Sequence, residues 1–122
     1  MRLSEISAGT KAENRFDTEI TSLADRLDDI CGGSLFFAIK GEKFDAASYV
    51  KEAEKRGAAA VVSEIPLKTQ IPNIVVGNIR KTEALFAANF FGTNKSGMKF
   101  VGITGTNGKT TVAEMIFACL LE

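Results

Sequence analysis

One glycine-rich segment near the end of the chain carries the residue types that bind phosphate. Residues 105–111 read GTNGKTT and follow an apolar, β-branched run at residues 100–104. The residues after the loop place apolar side chains at the spacing of one helix face: Val112, Met115, Ile116, Cys119 and Leu120. The sequence therefore predicts a buried strand, a glycine loop and a helix, in the order that a phosphate-binding P-loop requires.

The residue types in this loop suit the phosphate end of a nucleotide. Gly105 and Gly108 permit backbone angles that are closed to other residues, and they let amide groups approach phosphate oxygens. The helix that begins near Lys109 turns the positive end of its dipole toward the anion. Lys109 can reach the β- and γ-phosphates, and the hydroxyl of Thr110 can bind the Mg²⁺ ion that bridges them.

The loop departs from the general pattern G-x-x-x-x-G-K-[ST] at one position. The first glycine of that pattern falls on Ile103, because Gly102 comes one residue too early. The strict pattern therefore fails, while Gly108, Lys109 and Thr110 agree with it. The alternative is an ordinary glycine turn before a helix, but the strand and helix on either side favour the phosphate site.

Strands and helices alternate in the sequence upstream of this loop. Short apolar runs predict strands at residues 19–24, 34–39, 58–63 and 73–76. The predicted core comprises Leu35, Phe36, Phe37, Ile39, Val61, Val62, Ile74 and Val75. This strand and helix order predicts an α/β fold with short, mostly parallel strands.

Capping residues indicate where the helices begin and end. Asp45 can cap a helix whose apolar positions share one face, and Gly57 lies where a left-handed residue is favoured at its end. Glu52 and Arg56 are spaced for an ion pair on the solvent side of that helix. A further short helix is predicted at residues 3–8.

A second capped helix leads to a predicted domain boundary. Asn78 can cap a helix over residues 79–91, and the polar run GTNKSG at residues 92–97 is typical of a linker. The chain has 122 residues, which is the usual size of one domain. A P-loop needs a parallel sheet behind it, so we expect residues 1–95 to form one domain and residues 96–122 to begin a second, truncated one.

Composition argues against several classes of protein. Lys+Arg and Asp+Glu number 15 each, and this balance argues against a nucleic-acid-binding surface and an acidic tail. Histidine is absent, which removes histidine-based catalysis and histidine metal sites. No apolar run approaches the ~20 residues that cross a bilayer, and the amino terminus lacks the apolar core of a secretory signal. Cys31 and Cys119 lie far apart, and they predict reduced, partly buried thiols in a cytosolic protein.

The segment GITGTNGKTT at residues 102–111 resembles the ATP-binding loop of the Mur ligases, most of all the UDP-N-acetylmuramoyl-tripeptide synthetases (MurE type). Residues 104–111 match that family's TGTNGKTT at every position. Residues 35–45 (LFFAIKGEKFD), 57–64 (GAAAVVSE) and 74–92 resemble further segments of the family in the same order and spacing. The resemblance runs from about residue 19 to the end of the chain, and it makes the chain similar to an N-terminal fragment of such a ligase.

The resemblance implies an enzyme of three domains. The first binds the UDP-linked muramyl peptide, the central one is a P-loop ATPase, and the third binds the incoming amino acid. ATP phosphorylates the terminal carboxylate of the muramyl peptide, and the amine of the amino acid attacks the acyl phosphate to form an amide. Lys109 and Mg²⁺ would neutralise the charge that develops between the β- and γ-phosphates.

The family's functional residues carry over onto the loop. The resemblance makes Lys109 the catalytic residue and Thr110 the metal ligand. The implied ATP-binding residues are Gly105, Thr106, Asn107, Gly108, Lys109, Thr110 and Thr111. The implied cofactors are ATP and Mg²⁺.

The implied partners are a UDP-N-acetylmuramoyl peptide and an amino acid in the full-length enzyme, in the bacterial cytoplasm, without nucleic acid or membrane. We expect the fragment alone to be inactive, and its exposed strand at residues 100–104 could mediate self-association with a second copy.

The sequence departs from the family at the segment that helps hold the UDP sugar. The family's Asp-Ser-Arg falls on Arg26, Leu27 and Asp28, so the serine is lost and the charges are reversed. We therefore assign no UDP-sugar-binding residue from the sequence, and we expect residues 25–29 to form a solvated turn. The alternatives are a ligase of the D-alanyl-D-alanine-adding, cyanophycin or folylpolyglutamate type, or a non-catalytic α/β module that binds phosphate.

Overall fold

Four parallel strands form the centre of the computed structural model, which describes residues 1–10, 17–41, 46–95, 97–99, 101–105 and 107–121. The strands are β1 (Ser22–Ala24), β2 (Ser34–Phe37), β3 (Ala60–Ser63) and β4 (Asn73–Val75). They lie in the order β1-β2-β3-β4, and each neighbouring pair is parallel. The predicted α/β class with short parallel strands is confirmed, although each strand is shorter than predicted.

Three helices pack on this sheet, and a fourth follows the glycine loop. They are α1 (Leu3–Ile6), α2 (Ala46–Lys55), α3 (Ile79–Phe91) and α4 (Lys109–Leu121), with 3₁₀ turns η1 (Leu27–Asp29) and η2 (Thr93–Lys95). The side chain of Asn78 accepts a hydrogen bond from the Lys81 amide, and Gly92 ends α3 with a φ of 68°. Both predicted ends of α3 are therefore confirmed, whereas the linker predicted at residues 92–97 begins with this cap and η2. The predicted cap Asp45 lies outside the described residues.

Alternate residues of β2 belong to two separate cores. Leu35 and Phe37 pack with residues of α1 and α3, and the ring of Phe37 meets that of Phe86 edge-on, with centroids 6.0 Å apart. Phe36 packs on the opposite face with Val50 and Ala53 of α2. The sheet is therefore covered on both faces, as parallel sheets generally are.

The predicted core is largely confirmed. Six of its members are buried: Leu35, Phe36, Phe37, Val61, Val62 and Ile74. Ile39 is half-buried, and Val75 is 45% exposed, so its assignment to the core was wrong. The reason is position, because β4 is the edge strand of the described sheet and Val75 is its last residue.

A short connection joins the neighbouring parallel strands β1 and β2. It consists of residues 25–33 and passes through η1, where Leu27 and Ile30 pack into the core on the α2 side. At its end, the amide of Gly33 donates to the carbonyl of Gly57 at 2.9 Å. The charged residues of this connection are exposed as predicted, but Leu27 anchors them to the domain.

Replacing Gly33 by alanine is expected to destabilise this connection. Gly33 has a φ of +88°, and an added methyl would lie 2.6 Å from Oγ1 of Thr21, which itself donates to the Gly32 carbonyl. A left-handed alanine costs about 1–2 kcal/mol, and the steric clash should raise the loss of unfolding free energy to about 2–4 kcal/mol.

Chemical denaturation measures this loss, and Gly9→Ala is the matched control. Gly9 has a similar φ of +79°, but a methyl there would meet no atom within 4 Å. We therefore expect Gly9→Ala to show only the backbone cost. Equal losses for the two variants would contradict the steric argument.

The strand predicted before the glycine loop is wrong. Residues 101–105 have no regular secondary structure, Val101 is 63% exposed, and Phe100 lies outside the described residues. A parallel strand needs a neighbouring strand to bond its backbone, and none of the described strands pairs with these residues.

Helix α4 forms as predicted, but its apolar residues are not buried. Met115 and Leu120 are 64% and 76% exposed, and only Ile116 is half-buried. Cys31 and Cys119 are free thiols as predicted, yet both are exposed, so their predicted partial burial was wrong. Within the described ranges, no helix combines the length and apolar character needed to cross a membrane.

Candidate functional site

The backbone of the predicted phosphate loop adopts glycine-type conformations immediately before α4. Gly105 and Gly108 have φ values of 151° and 75°, in the range that glycine favours. The carbonyl of Gly108 accepts a hydrogen bond from the amide of Val112 at 3.0 Å, which closes the first turn of α4. A methyl added at Gly108 would meet no atom within 4 Å, so the space around this turn is open. This turn fits the backbone that a phosphate loop requires.

The side chains predicted to bind phosphate lie at the start of the same helix. Lys109, Thr110 and Thr111 are the first three residues of α4, and all are exposed. Asn107 precedes them and is also exposed, while Thr106 lies outside the described residues. No group of three His, Cys, Asp or Glu side chains in the described ranges could hold a metal ion. The binding of Mg²⁺ by Thr110 and the roles of the other loop residues stay predictions.

A second candidate site, to which no residue was assigned from the sequence, opens beside the carboxyl ends of β1 and β2. This cleft has a volume of about 420 Å³. The described residues that line it are Asp25, Arg26, Leu27, Asp28, Phe36, Ile39, Gly41, Tyr49 and Arg56. Asp25 directly follows β1, and Ile39 comes two residues after the end of β2. Ligands of open parallel sheets bind at this edge of the sheet.

One arginine connects the two walls of the cleft, which are η1 and α2. Nη1 of Arg56 donates to the carbonyl of Leu27 at 2.8 Å and to Oδ1 of Asp28 at 3.3 Å. Its Nε donates to Oε1 of Glu52 at 2.9 Å, which confirms the predicted ion pair on α2. The hydrogen bond to Glu52, supported by Asp28, raises the pKa of Arg56 above its usual value.

The charges of the cleft leave one guanidinium available to an anion. Asp28 and Glu52 neutralise Arg56, whereas the side chain of Arg26 is exposed and has no ion-pair partner among the described residues. Partial burial raises the pKa of Glu83 on α3, and the negative charge of Asp25 adds to this rise. Arg26 is therefore the lining residue best placed to meet a negatively charged ligand.

Similarity to known sequences covers most of the chain. Residues 28–89 match the Mur ligase family, catalytic domain. The "UDP-N-acetylmuramoyl-L-alanyl-D-glutamate--2,6-diaminopimelate ligase" of Aquifex aeolicus is 49% identical over 90 residues, which are 74% of this chain and 19% of the relative. The ligase of the same name from Halalkalibacterium halodurans is 38% identical over 108 residues, which are 88% of this chain and 22% of the relative.

A solved structure shares the fold. The UDP-N-acetylmuramoylalanyl-D-glutamyl-2,6-diaminopimelate--D-alanyl-D-alanyl ligase from Acinetobacter baumannii matches with a TM-score of 0.71 and 25% identity, over 96% of this chain and 27% of that chain. The fold and these relatives define the class, which is that of ligases built on a parallel α/β domain. The chain belongs to the Mur ligase family, and the resemblance seen in its sequence is confirmed. It spans about a fifth of the length of the curated relatives it matches.

Proposed function

We propose that this chain is part of an ATP-dependent ligase that joins an amino acid to a UDP-N-acetylmuramoyl peptide during peptidoglycan precursor synthesis in the bacterial cytoplasm. The observation that carries the proposal is the cleft beside the carboxyl ends of β1 and β2 in a chain of this family. The two curated relatives described above, at 49% and 38% identity, are both ligases of UDP-N-acetylmuramoyl-L-alanyl-D-glutamate and 2,6-diaminopimelate by name. Their shared name favours UDP-N-acetylmuramoyl-L-alanyl-D-glutamate as the acceptor.

The cleft is proposed to receive the UDP end of the acceptor. Its volume of about 420 Å³ falls within the range of about 300–1,000 Å³ that is usual for small-molecule sites. The guanidinium of Arg26 matches the geometry of a diphosphate, with which it can form two parallel hydrogen bonds. Tyr49 adds an aromatic ring to the lining, a surface that suits a flat base. Residues 1–95 would then be the substrate domain of the ligase.

The glycine loop is proposed to bind ATP, with residues 96–122 as the start of the ATP-binding domain. The positive φ values of Gly105 and Gly108 and the exposure of Lys109 and Thr110 support this role. Lys109 would hold the β- and γ-phosphates, and Thr110 would hold Mg²⁺. Bound ATP would supply the phosphoryl group that gives the acceptor carboxylate a leaving group.

Binding of UDP to variants of Arg26 tests the proposed cleft. We expect the wild-type chain to bind UDP and Arg26→Met to bind it about tenfold more weakly, because a charge-assisted hydrogen bond is lost. Calorimetry or an NMR titration measures the affinity. Lys95→Met removes an equal charge from η2, which follows the far end of α3 and supplies no lining residue of the cleft, and should bind as the wild type does. Unchanged binding by Arg26→Met would contradict the proposed role of the cleft.

The apolar residues around α4 are proposed to mediate self-association of the isolated chain. Phe117 and Leu120 lie one turn apart on α4 and are 65% and 76% exposed. Such a patch is larger than single exposed apolar residues, which are common on monomers. We expect sedimentation to show a dimer that dissociates on dilution, and Phe117→Lys to shift it to monomer. A wild-type chain that stays monomeric at every concentration tested would exclude this association.

A further inference from the structure

Arg56 ties the two walls of the cleft together through a single guanidinium. It directly follows α2, and its Nε hydrogen bond to Glu52 fixes the guanidinium to that helix. Its Nη1 reaches across to Leu27 and Asp28 of η1. Glu52 holds the guanidinium on one side at 2.9 Å, and Leu27 and Asp28 hold it on the other at 2.8 and 3.3 Å.

The turn η1 has few other polar restraints. Its backbone bonds are long, at 3.2 Å from the Asp29 amide to the Arg26 carbonyl and 3.3 Å from the Ile30 amide to the Leu27 carbonyl. Arg56 is the one side chain in the described ranges that donates a hydrogen bond to residues Leu27–Asp29. Since Arg26 immediately precedes η1, the tether at Leu27 and Asp28 fixes the backbone next to Arg26.

We propose that Arg56 is a positioning residue of the cleft: it holds η1 against α2 and thereby places Arg26 for an anionic ligand. This inference rests on the proposed binding of the UDP end in the cleft. Arg56 acts through η1 and not as a second phosphate ligand, because Asp28 and Glu52 already neutralise its charge. If Arg56 acts by positioning Arg26, replacing Arg56 should not weaken UDP binding further once the guanidinium of Arg26 has been removed.

A double-mutant cycle with UDP as the ligand tests the proposal on the full chain. Arg56→Met is expected to weaken UDP binding about threefold to tenfold, and the double variant with Arg26→Met should bind no more weakly than Arg26→Met alone. NMR spectra of the free protein should show altered amide shifts for residues 27–29 in Arg56→Met. Lys55→Met is the matched control, since it removes the neighbouring positive charge without touching η1, and its affinity should equal that of the wild type.

A conservative variant separates positioning from general stability. Arg56→Lys keeps the charge but loses the planar fork, so its affinity should lie between those of the wild type and Arg56→Met. If Arg56→Met does not fold, Arg56→Lys provides the test in its place. An Arg56→Lys variant that binds UDP as tightly as the wild type would overturn the proposal.

The cycle distinguishes failure of the inference from failure of the proposed function. If the wild type binds UDP and Arg56→Met binds it equally well, the role of Arg56 is overturned while the cleft stands. The role of Arg56 would also be overturned if the loss of UDP affinity in the double variant equalled the product of the two single losses. Arg26 and Arg56 would then contribute to binding independently. Absence of UDP binding by the wild type would overturn the proposed function and the role of Arg56 together.

Discussion

Replacing Phe86 by alanine is expected to lower the free energy of unfolding by about 3–5 kcal/mol, the usual cost of removing a buried phenylalanine ring. The side chain is 0% exposed and lies in the core between the sheet and α3, where it packs edge-on against Phe37. Small domains have a total stability of about 5–15 kcal/mol, so this one change should populate the unfolded state measurably.

Denaturant unfolding followed by circular dichroism measures the change, with Phe91→Ala as the control. Phe91 lies on the same helix, but its side chain is 68% exposed. Its ring meets that of Phe90 edge-on, with centroids 5.1 Å apart, so we expect Phe91→Ala to lose about 1 kcal/mol, well below the loss for Phe86→Ala. Similar losses for Phe86→Ala and Phe91→Ala would show that the core between the sheet and α3 is not packed as described.

Replacing Lys109 by alanine is expected to reduce ATP turnover more than about a hundredfold in a ligase that contains this chain, because removing a single group that stabilises transition-state charge has effects of this size. Lys109 opens α4 directly after Gly108, where the positive φ of that glycine and the helix dipole favour an anion. The loss should appear in the rate more than in the stability, since the side chain is exposed.

The measurement is ADP release in the presence of UDP-N-acetylmuramoyl-L-alanyl-D-glutamate and 2,6-diaminopimelate. Lys99→Ala removes another exposed lysine ten residues earlier and should leave the rate close to that of the parent enzyme. An unchanged rate in Lys109→Ala would show that the glycine loop does not bind the transferred phosphate.

The sequence was most informative where the determinants of structure are local. The start of α3 was predicted from its cap Asn78 and its end near Phe91 from the polar run that follows, although Gly92 was assigned to a linker and not to the cap that it forms. The strand before the glycine loop was predicted on β-branched residues alone. That signal describes what fits into a sheet, but it does not supply the neighbouring strand that residues 101–105 lack in the described structure.

The cleft was missed because its lining comes from separate parts of the chain. Asp25 and Arg26 follow β1, Gly41 follows β2, and Tyr49 and Arg56 belong to α2 and its end. Two signals pointed to this segment, the charge cluster at residues 25–29 and the alignment of the family's UDP-sugar segment with residues 26–28. The lost serine and the reversed charges favoured a solvated turn instead. The tertiary contact between Arg56 and η1 places this turn at the wall of the cleft, which the sequence alone does not show.

The most direct test of the proposed function is an NMR titration of the ¹⁵N-labelled chain with UDP-N-acetylmuramoyl-L-alanyl-D-glutamate. The predicted result is a saturable shift of amide signals from residues 25–28 and Gly41, with the signals of Gly105 and Gly108 unchanged. No saturable shift, or shifts confined to the glycine loop, would contradict the assignment of the cleft to this substrate.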